Sequence, residues 1–300
     1  MMPILFSMPG NAVFAAQLSA CLPCEQGSLE IHRFPDGESC PRFLTPVAGR
    51  DVVFACALDA PDDKILPAYL AASVARELGA RSVGLVVPYL PYMRQDARFR
   101  EGEGITSVHF ARLLSACCDW LVTVDPHLHR HAHLSAIYSN ATRVVQAAPA
   151  ISGWIAANVE RSVVVGPDAE SEQWVAQVAA AAGCPFTVLA KKRSGDHAVE
   201  VSMPDTASWA GMTPVLVDDI ISTARTMVAA ARQIIASGMA PPVCIGVHAL
   251  FAGDALDALQ AAGVQRIVTC NTVPHASNGI DLSTLIAAAV NNFLRDFTKS

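Results

Sequence analysis

Two stretches of the chain share one pattern of apolar and polar positions. In DVVFACALDAPDDKILPAYLAASVARELGARSVGLVVPYL (Asp51 to Leu90), a short β-branched run is followed by an acidic loop, a segment with helical spacing, a glycine and a second apolar run. TPVLVDDIISTARTMVAAARQIIASGMAPPVCIGVHALF (Thr213 to Phe251) repeats that order. The pattern predicts strand, loop, helix and strand in each, with Gly79 and Gly238 closing the helices as left-handed residues. A strand that reaches the next one through a helix pairs with it in parallel, by a right-handed crossover. Two such units predict an α/β chain of two similar domains, each a mainly parallel sheet flanked by helices. The join is expected within NATRVVQAAPAIS (Asn140 to Ser152), giving residues 1–145 and 146–300, with the last helix a candidate to pack back on the first domain.

Polar clusters follow the apolar runs. GLVVPYLPYM leads to Arg94, Gln95 and Asp96, and WLVTV to Asp125 and His127. SVVVG leads to Pro167 and Asp168, and PVLV to Asp218 and Asp219. Ligands of open parallel sheets bind beyond the carboxyl ends of the strands. Four such clusters therefore predict one or two ligand clefts; singly, each reads as an ordinary charged loop start.

Composition narrows the choice. With 52% hydrophobic residues the chain can bury a large core. A net charge of -6 argues against a general nucleic-acid binder but allows nucleotide binding bridged by Mg²⁺. No membrane span is expected, since the uncharged run from Ile234 to Gly253 is interrupted by Gly238, Pro241, Pro242 and Gly246. MMPILFSMPG lacks the basic start of a signal peptide. Nine scattered cysteines form a poor disulfide framework and point to a reducing cytoplasm. Cys21 and Cys24 have redox or zinc spacing, but no second pair answers them.

The richest stretch is VLVDDIISTARTM (Val215 to Met227). Ser222, Thr223, Ala224, Arg225 and Thr226 offer hydroxyls and backbone N–H groups at a helix start, a cradle for phosphate. Asp218 and Asp219 suit vicinal hydroxyls or a bound metal better than phosphate itself. Ribose 5-phosphate has both features; the plainer alternative is acidic helix capping.

This stretch resembles the ribose-phosphate loop of the phosphoribosyltransferase fold, and the chain resembles the ribose-phosphate diphosphokinase family. RFPDGE (Arg33 to Glu38) is similar to that family's adenine-contacting loop, and YMRQDARFREGEGIT (Tyr92 to Thr106) to its ATP segment and flexible loop. VTVDPH and VVVGPDAES resemble its two metal-associated strand ends, and AKKRSGDHAVEV (Ala190 to Val201) its basic catalytic flap. The six motifs come in family order from residue 33 to residue 227, and ARFREGEGIT is closer to the archaeal-type branch.

The resemblance implies two phosphoribosyltransferase-like domains and transfer of the β,γ-diphosphoryl group of MgATP to the C1 hydroxyl of ribose 5-phosphate. The products would be phosphoribosyl diphosphate (PRPP) and AMP. It places Lys191 and Arg193 over the transferred group, and Mg²⁺ at His127 and Asp168. Phe34, Asp36, Glu38, Arg94, Gln95 and Asp96 would form the ATP site, and Asp218, Asp219 and residues 222–226 the sugar-phosphate site. It also implies a cytoplasmic homo-oligomer built from dimers, with no nucleic-acid or membrane partner.

The chain departs from the family pattern in places. Ser222 and Arg225 stand where an acid and a glycine are usual, and Arg225 is expected to restrict a positive φ. Glu170 follows Asp168 where glycine is common, and Lys192 stands where the family often has arginine. These departures leave open a non-catalytic regulatory homologue; a PRPP-consuming transferase is disfavoured by the doubled domain. His127, His129, His131 and His133 alternate, and if extended would share a face suited to a transition metal.

Overall fold

The computed structural model describes residues 2–194, 198–202 and 206–297. The chain divides into two compact units: residues 1–145 with 272–274 and 283–300, and residues 146–271 with 275–282.

The first unit contains β1 (Ile4–Ser7), α1 (Ala12–Cys21), β2 (Glu25–Gln26), β3 (Leu29–Arg33), β4 (Ser39–Phe43), β5 (Asp51–Ala55), α2 (Pro61–Glu77), β6 (Ser82–Val86), α3 (Thr106–Cys117), β7 (Trp120–Val124) and β8 (Ala141–Val145). Its sheet runs β2-β1-β5-β6-β7-β8, parallel throughout, while β3 and β4 form a separate antiparallel hairpin. Every residue of β5, β6 and β7 is buried, so these strands read as unbroken apolar runs rather than alternating ones. That is the signature of a parallel sheet covered on both faces. α2 begins with Pro61 and two acids, Asp62 and Asp63, which complement the positive end of the helix. Its buried stripe is Ala68, Ala71, Ala72 and Ala75, small side chains that allow close packing on the sheet. Gly79 follows with φ +85°, the left-handed stop expected from the sequence. Asp51, buried at the start of β5, accepts from Arg81 and from Ser82 Oγ. Burial alone would raise its pKa, but these partners outweigh burial and lower it.

The second unit contains α4 (Ala148–Asn158), β9 (Ser162–Gly166), α5 (Glu172–Ala182), β10 (Phe186–Val188), β11 (Ala190–Ser194), β12 (Ala198–Ser202), β13 (Thr213–Ile221), α6 (Arg225–Ala236), β14 (Val243–Ala249), α7 (Ala255–Ala261), β15 (Arg266–Cys270) and β16 (Asn278–Ile280). Its sheet order is β10-β9-β13-β14-β15-β16, again parallel, with β11 and β12 as a separate hairpin. Numbered within each unit, the strand order is identical, and in both a hairpin separates the second sheet strand from the third. Each unit reverses direction between its first and third sheet strands, β1 and β5 in one and β9 and β13 in the other.

The last helix, α8 (Ser283–Phe297), follows the whole second unit in sequence but belongs to the first. There it packs against α1 and β6 to β8. Phe293 stacks on buried Trp120 with ring centroids 5.3 Å apart, and Arg143 lies 4.9 Å from the Phe293 ring. Space for the indole comes from Gly84, where an added Cβ would lie 2.0 Å from the Trp120 ring. Gly84→Ala is therefore expected to displace a fully buried tryptophan and to destabilise the chain by about 1–3 kcal/mol, measured by denaturant unfolding. An unchanged unfolding midpoint would contradict this packing.

Candidate active site

The carboxyl ends of β9 and β13 meet where the second sheet reverses, and both carry acids. Asp168 follows β9 and accepts from the Glu170 backbone N–H at 3.2 Å. The family motif expects a glycine near here; Ala169 and Glu170 instead form one turn of tight helix.

Asp218 and Asp219 were expected just beyond the strand, yet β13 continues through them to Ile221. The cause is its neighbour: β14 is seven residues long and holds Asp218 against Gly246 and Ile221 against Ala249. An added Cβ at Gly246 would lie 2.6 Å from the Ile221 side chain, so only glycine permits this approach. Both carboxylates are half-buried, and the Asp219 N–H donates to Asp218 Oδ1 at 3.0 Å. Burial, then Asp219, with Asp168 contributing less, pushes the Asp218 carboxyl well above the usual carboxylate range. The protein thus concentrates negative charge here at a cost to itself.

Beyond β13, residues 222–226 turn into α6. Thr223, Arg225 and Thr226 are exposed, while Ala224 is buried and caps the helix without a side-chain hydrogen bond. The positive φ expected at Arg225 lies at Ala224 instead (φ +56°), because Arg225 is already the first helical residue. A left-handed alanine costs roughly 1–2 kcal/mol. The turn leaves the first backbone N–H groups of α6, and the positive end of its dipole, at the loop that follows the two acids.

In this unit Lys191 and Arg193 lie on β11, whose backbone pairs Lys191 with Val201 and Arg193 with Val199. Residues 195–197 of the flap motif lie outside the described residues.

In the first unit, Phe34, Asp36 and Glu38 form the tip of the β3–β4 hairpin. The tip is closed by Phe34 N–H to Glu38 O (2.8 Å), Glu38 N–H to Asp36 Oδ1 (3.2 Å) and Gly37 at φ +95°. Phe34 is 44% exposed and meets His32 edge-on at 4.5 Å, leaving ring surface open for stacking. Arg94 and Gln95, both exposed, line a cleft of about 430 Å³ with Asp59, Asp62, Tyr89 and Tyr92. Tyr92 hydrogen-bonds Asp62 and adopts φ +64°. The sequence reading overlooked Asp62 and Tyr92 as lining residues. Tyr92 opens the quoted ATP segment, but nothing in the sequence shows that α2 brings Asp62 to it.

Asp96 does not open onto that cleft in the same manner. It is buried, and its Oδ1 accepts from Arg130 at 2.8 Å, with the Arg130 guanidinium 5.6 Å from the Phe99 ring. Asp96 therefore ties the loop after β6 to the loop after β7. His127, half-buried on the latter loop, stacks on His129 with centroids 3.9 Å apart. The run from His127 to His133 forms no strand and bends at residues 129, 130, 132 and 133, so its histidines do not line up along a strand face, although His127 and His129 stack. Among the described residues, no three His, Cys, Asp or Glu side chains are grouped to hold a metal ion. No described helix is long and apolar enough to cross a membrane.

Residues 3–117 match the family of the N-terminal domain of ribose phosphate pyrophosphokinase, and residues 133–284 match the phosphoribosyl transferase domain family. A ribose-phosphate pyrophosphokinase of Methanopyrus kandleri is 34% identical over 278 residues, covering 92% of this chain and 94% of that protein. One from Sulfolobus acidocaldarius is 30% identical over 91% of this chain and 95% of its own length. Among solved structures, phosphoribosylpyrophosphate synthetase from Mycobacterium smegmatis superposes with a TM-score of 0.87. That likeness covers 99% of this chain and all of the other at 22% identity, which speaks to the fold.

Proposed function

This chain belongs to the ribose-phosphate pyrophosphokinase family, and we propose that it makes PRPP and AMP from MgATP and ribose 5-phosphate with the residues described above. The observation that carries the assignment of residues is the reversal point of the second sheet. There, paired carboxylates stand beside a helix start that can receive a phosphate. The phosphate would accept from the α6 N–H groups and from Thr223 and Thr226, while Asp218 and Asp219 accept from the ribose hydroxyls.

On the nucleotide side, Phe34 would stack on adenine, with Asp36 and Glu38 accepting from its amine and Arg94 and Gln95 binding the rest of the nucleotide. Asp96 acts differently: through Arg130 it would hold Arg94 and Gln95 in place rather than touch ATP. The C1 hydroxyl attacks the β-phosphorus and AMP leaves. Lys191 and Arg193 would neutralise charge on the transferred group, chemistry that depends on positioning and electrostatics.

Mg²⁺ fits the donor set. Asp168 lies near enough to Asp218 to help raise its pKa, and sparse protein ligation is normal for Mg²⁺ shared with nucleotide phosphates. Asp168 is its candidate ligand in the second unit and His127 the candidate in the first, and when bound it would neutralise phosphate charge. The enzyme would work in the cytoplasm as a homo-oligomer.

³¹P NMR of the protein with MgATP, with and without ribose 5-phosphate, tests the reaction. Sugar-dependent AMP and a new diphosphate signal are expected. Release of ADP would instead mean ordinary phosphoryl transfer and overturn the mechanism.

A further inference from the structure

The repeated topology raises a question about the first unit. In the second, the reversal point between β9 and β13 holds Asp168, the paired acids at the end of β13 and the 222–226 loop. The matching place in the first unit, between β1 and β5, contains none of the proposed substrate residues. It is nonetheless hollow, with a cavity of about 200 Å³ walled by the loop after β1, the buried Cys56 after β5, the start of α2 and the β3–β4 hairpin. Reversal points of parallel sheets are where such folds bind ligands.

We propose that this cavity binds a small free α-amino acid with an aliphatic side chain. Of the three charged residues that line it, two stand out, Arg33 from the hairpin and Asp63 from α2. Neither has a hydrogen-bond or ion-pair partner among the described residues, and they do not pair with each other. By contrast, Lys64 on the same wall is already engaged by Asp59. An unpaired cation and an unpaired anion facing one cavity match a zwitterion, whose carboxylate goes to Arg33 and whose ammonium goes to Asp63. Ser39, directly opposite Arg33 across the hairpin, adds a hydroxyl for the carboxylate. Met8, Ile31 and Pro67 give the wall an apolar part that suits an aliphatic side chain, beside the polar Asn11. The volume lies below the ~300–1,000 Å³ typical of drug-sized ligands. It therefore favours a molecule of amino-acid size over a nucleotide.

Occupancy has a consequence that rests on the adenine role proposed for the hairpin tip. Arg33 immediately precedes Phe34, and Asp63 also borders the Arg94–Gln95 cleft. An amino acid drawing on both would brace the hairpin against α2 and change the KM for ATP.

Calorimetry on the full chain tests the site with L-leucine, isovalerate (no ammonium) and isoamylamine (no carboxylate). L-leucine is expected to bind, each single-charge analogue about tenfold or more weaker, and Arg33→Gln and Asp63→Asn to weaken L-leucine by a similar factor. No heat from L-leucine or L-methionine at millimolar concentration overturns the proposal, as does L-leucine binding that both variants leave unchanged. Binding as expected with an unaltered KM for ATP supports the site and overturns the adenine assignment of the hairpin instead.

Discussion

Replacing Lys191 by alanine is expected to lower the rate of AMP release by about 10²–10³ while leaving nucleotide binding within a few-fold. The transition state of diphosphoryl transfer spreads negative charge over oxygens that the ground state carries differently. A cation aimed at that charge raises kcat more than it lowers KM. Lys191 is the second residue of β11, two residues from Arg193, on a hairpin inserted between the second and third strands of its sheet. Lys191→Arg should recover only part of the loss, since a planar guanidinium does not replace a compact ammonium. Steady-state AMP release, with ATP affinity measured separately, decides the matter. Turnover within a few-fold of the unaltered enzyme would remove Lys191 from the mechanism.

Asp218→Asn is expected to make the protein more stable and a worse enzyme. The folded state holds the Asp218 proton more tightly than the unfolded chain does, because burial and then Asp219 oppose its charge. The sign follows from linkage: stability associated with this group is fully present below its unfolded value, 3.8, and is lost as pH rises through the higher folded value. Asparagine removes that loss. The melting temperature of the variant should therefore exceed that of the parent by roughly 2–4 °C near neutrality, about 1 kcal/mol, and the gap should close in acid. Activity should move the other way. A hydrogen bond between a charged acceptor and the ribose is worth about 1.5–3 kcal/mol, so kcat/KM for ribose 5-phosphate should fall roughly 10- to 150-fold. Thermal melts from pH 4 to 8 alongside sugar-phosphate kinetics test both halves. A variant less stable than its parent at neutral pH would show that the carboxylate is compensated in some other way.

Much of this architecture was legible because it is local. The unbroken apolar runs of β5, β6, β7 and β9 announce strands covered on both faces, and Gly79 and Gly238 mark helix ends through a conformation other residues avoid. The doubling was visible because each unit repeats the same strand–helix–strand order. What escaped notice depends on distant neighbours. β13 outruns its apolar stretch because β14 supplies partners for two more turns of the pleat, and no residue of β13 records that. Alternating histidines suggested a shared strand face, but that periodicity holds only along a strand, and the backbone after β7 bends repeatedly without forming one. The Asp96–Arg130 pair joins residues 34 apart in sequence, and the β1–β5 cavity needs four segments to define it. Ala224 was missed for a subtler reason: α6 begins at Arg225, inside the stretch read as the loop, and the left-handed position falls on the residue before it.

The C-terminal helix has a bearing on how the chain comes into being. Ribosomal synthesis proceeds from the amino end, and domains generally fold in the order they emerge. Here the first unit cannot do so completely. The helix that covers Trp120 is separated from it by the entire second unit, so a nascent chain must carry an unfinished first sheet through most of its synthesis. The indole face that ends up stacked on Phe293 is meanwhile available to solvent, to chaperones or to a neighbouring nascent chain. Completion of the earliest part therefore awaits the helix that is made after the second unit.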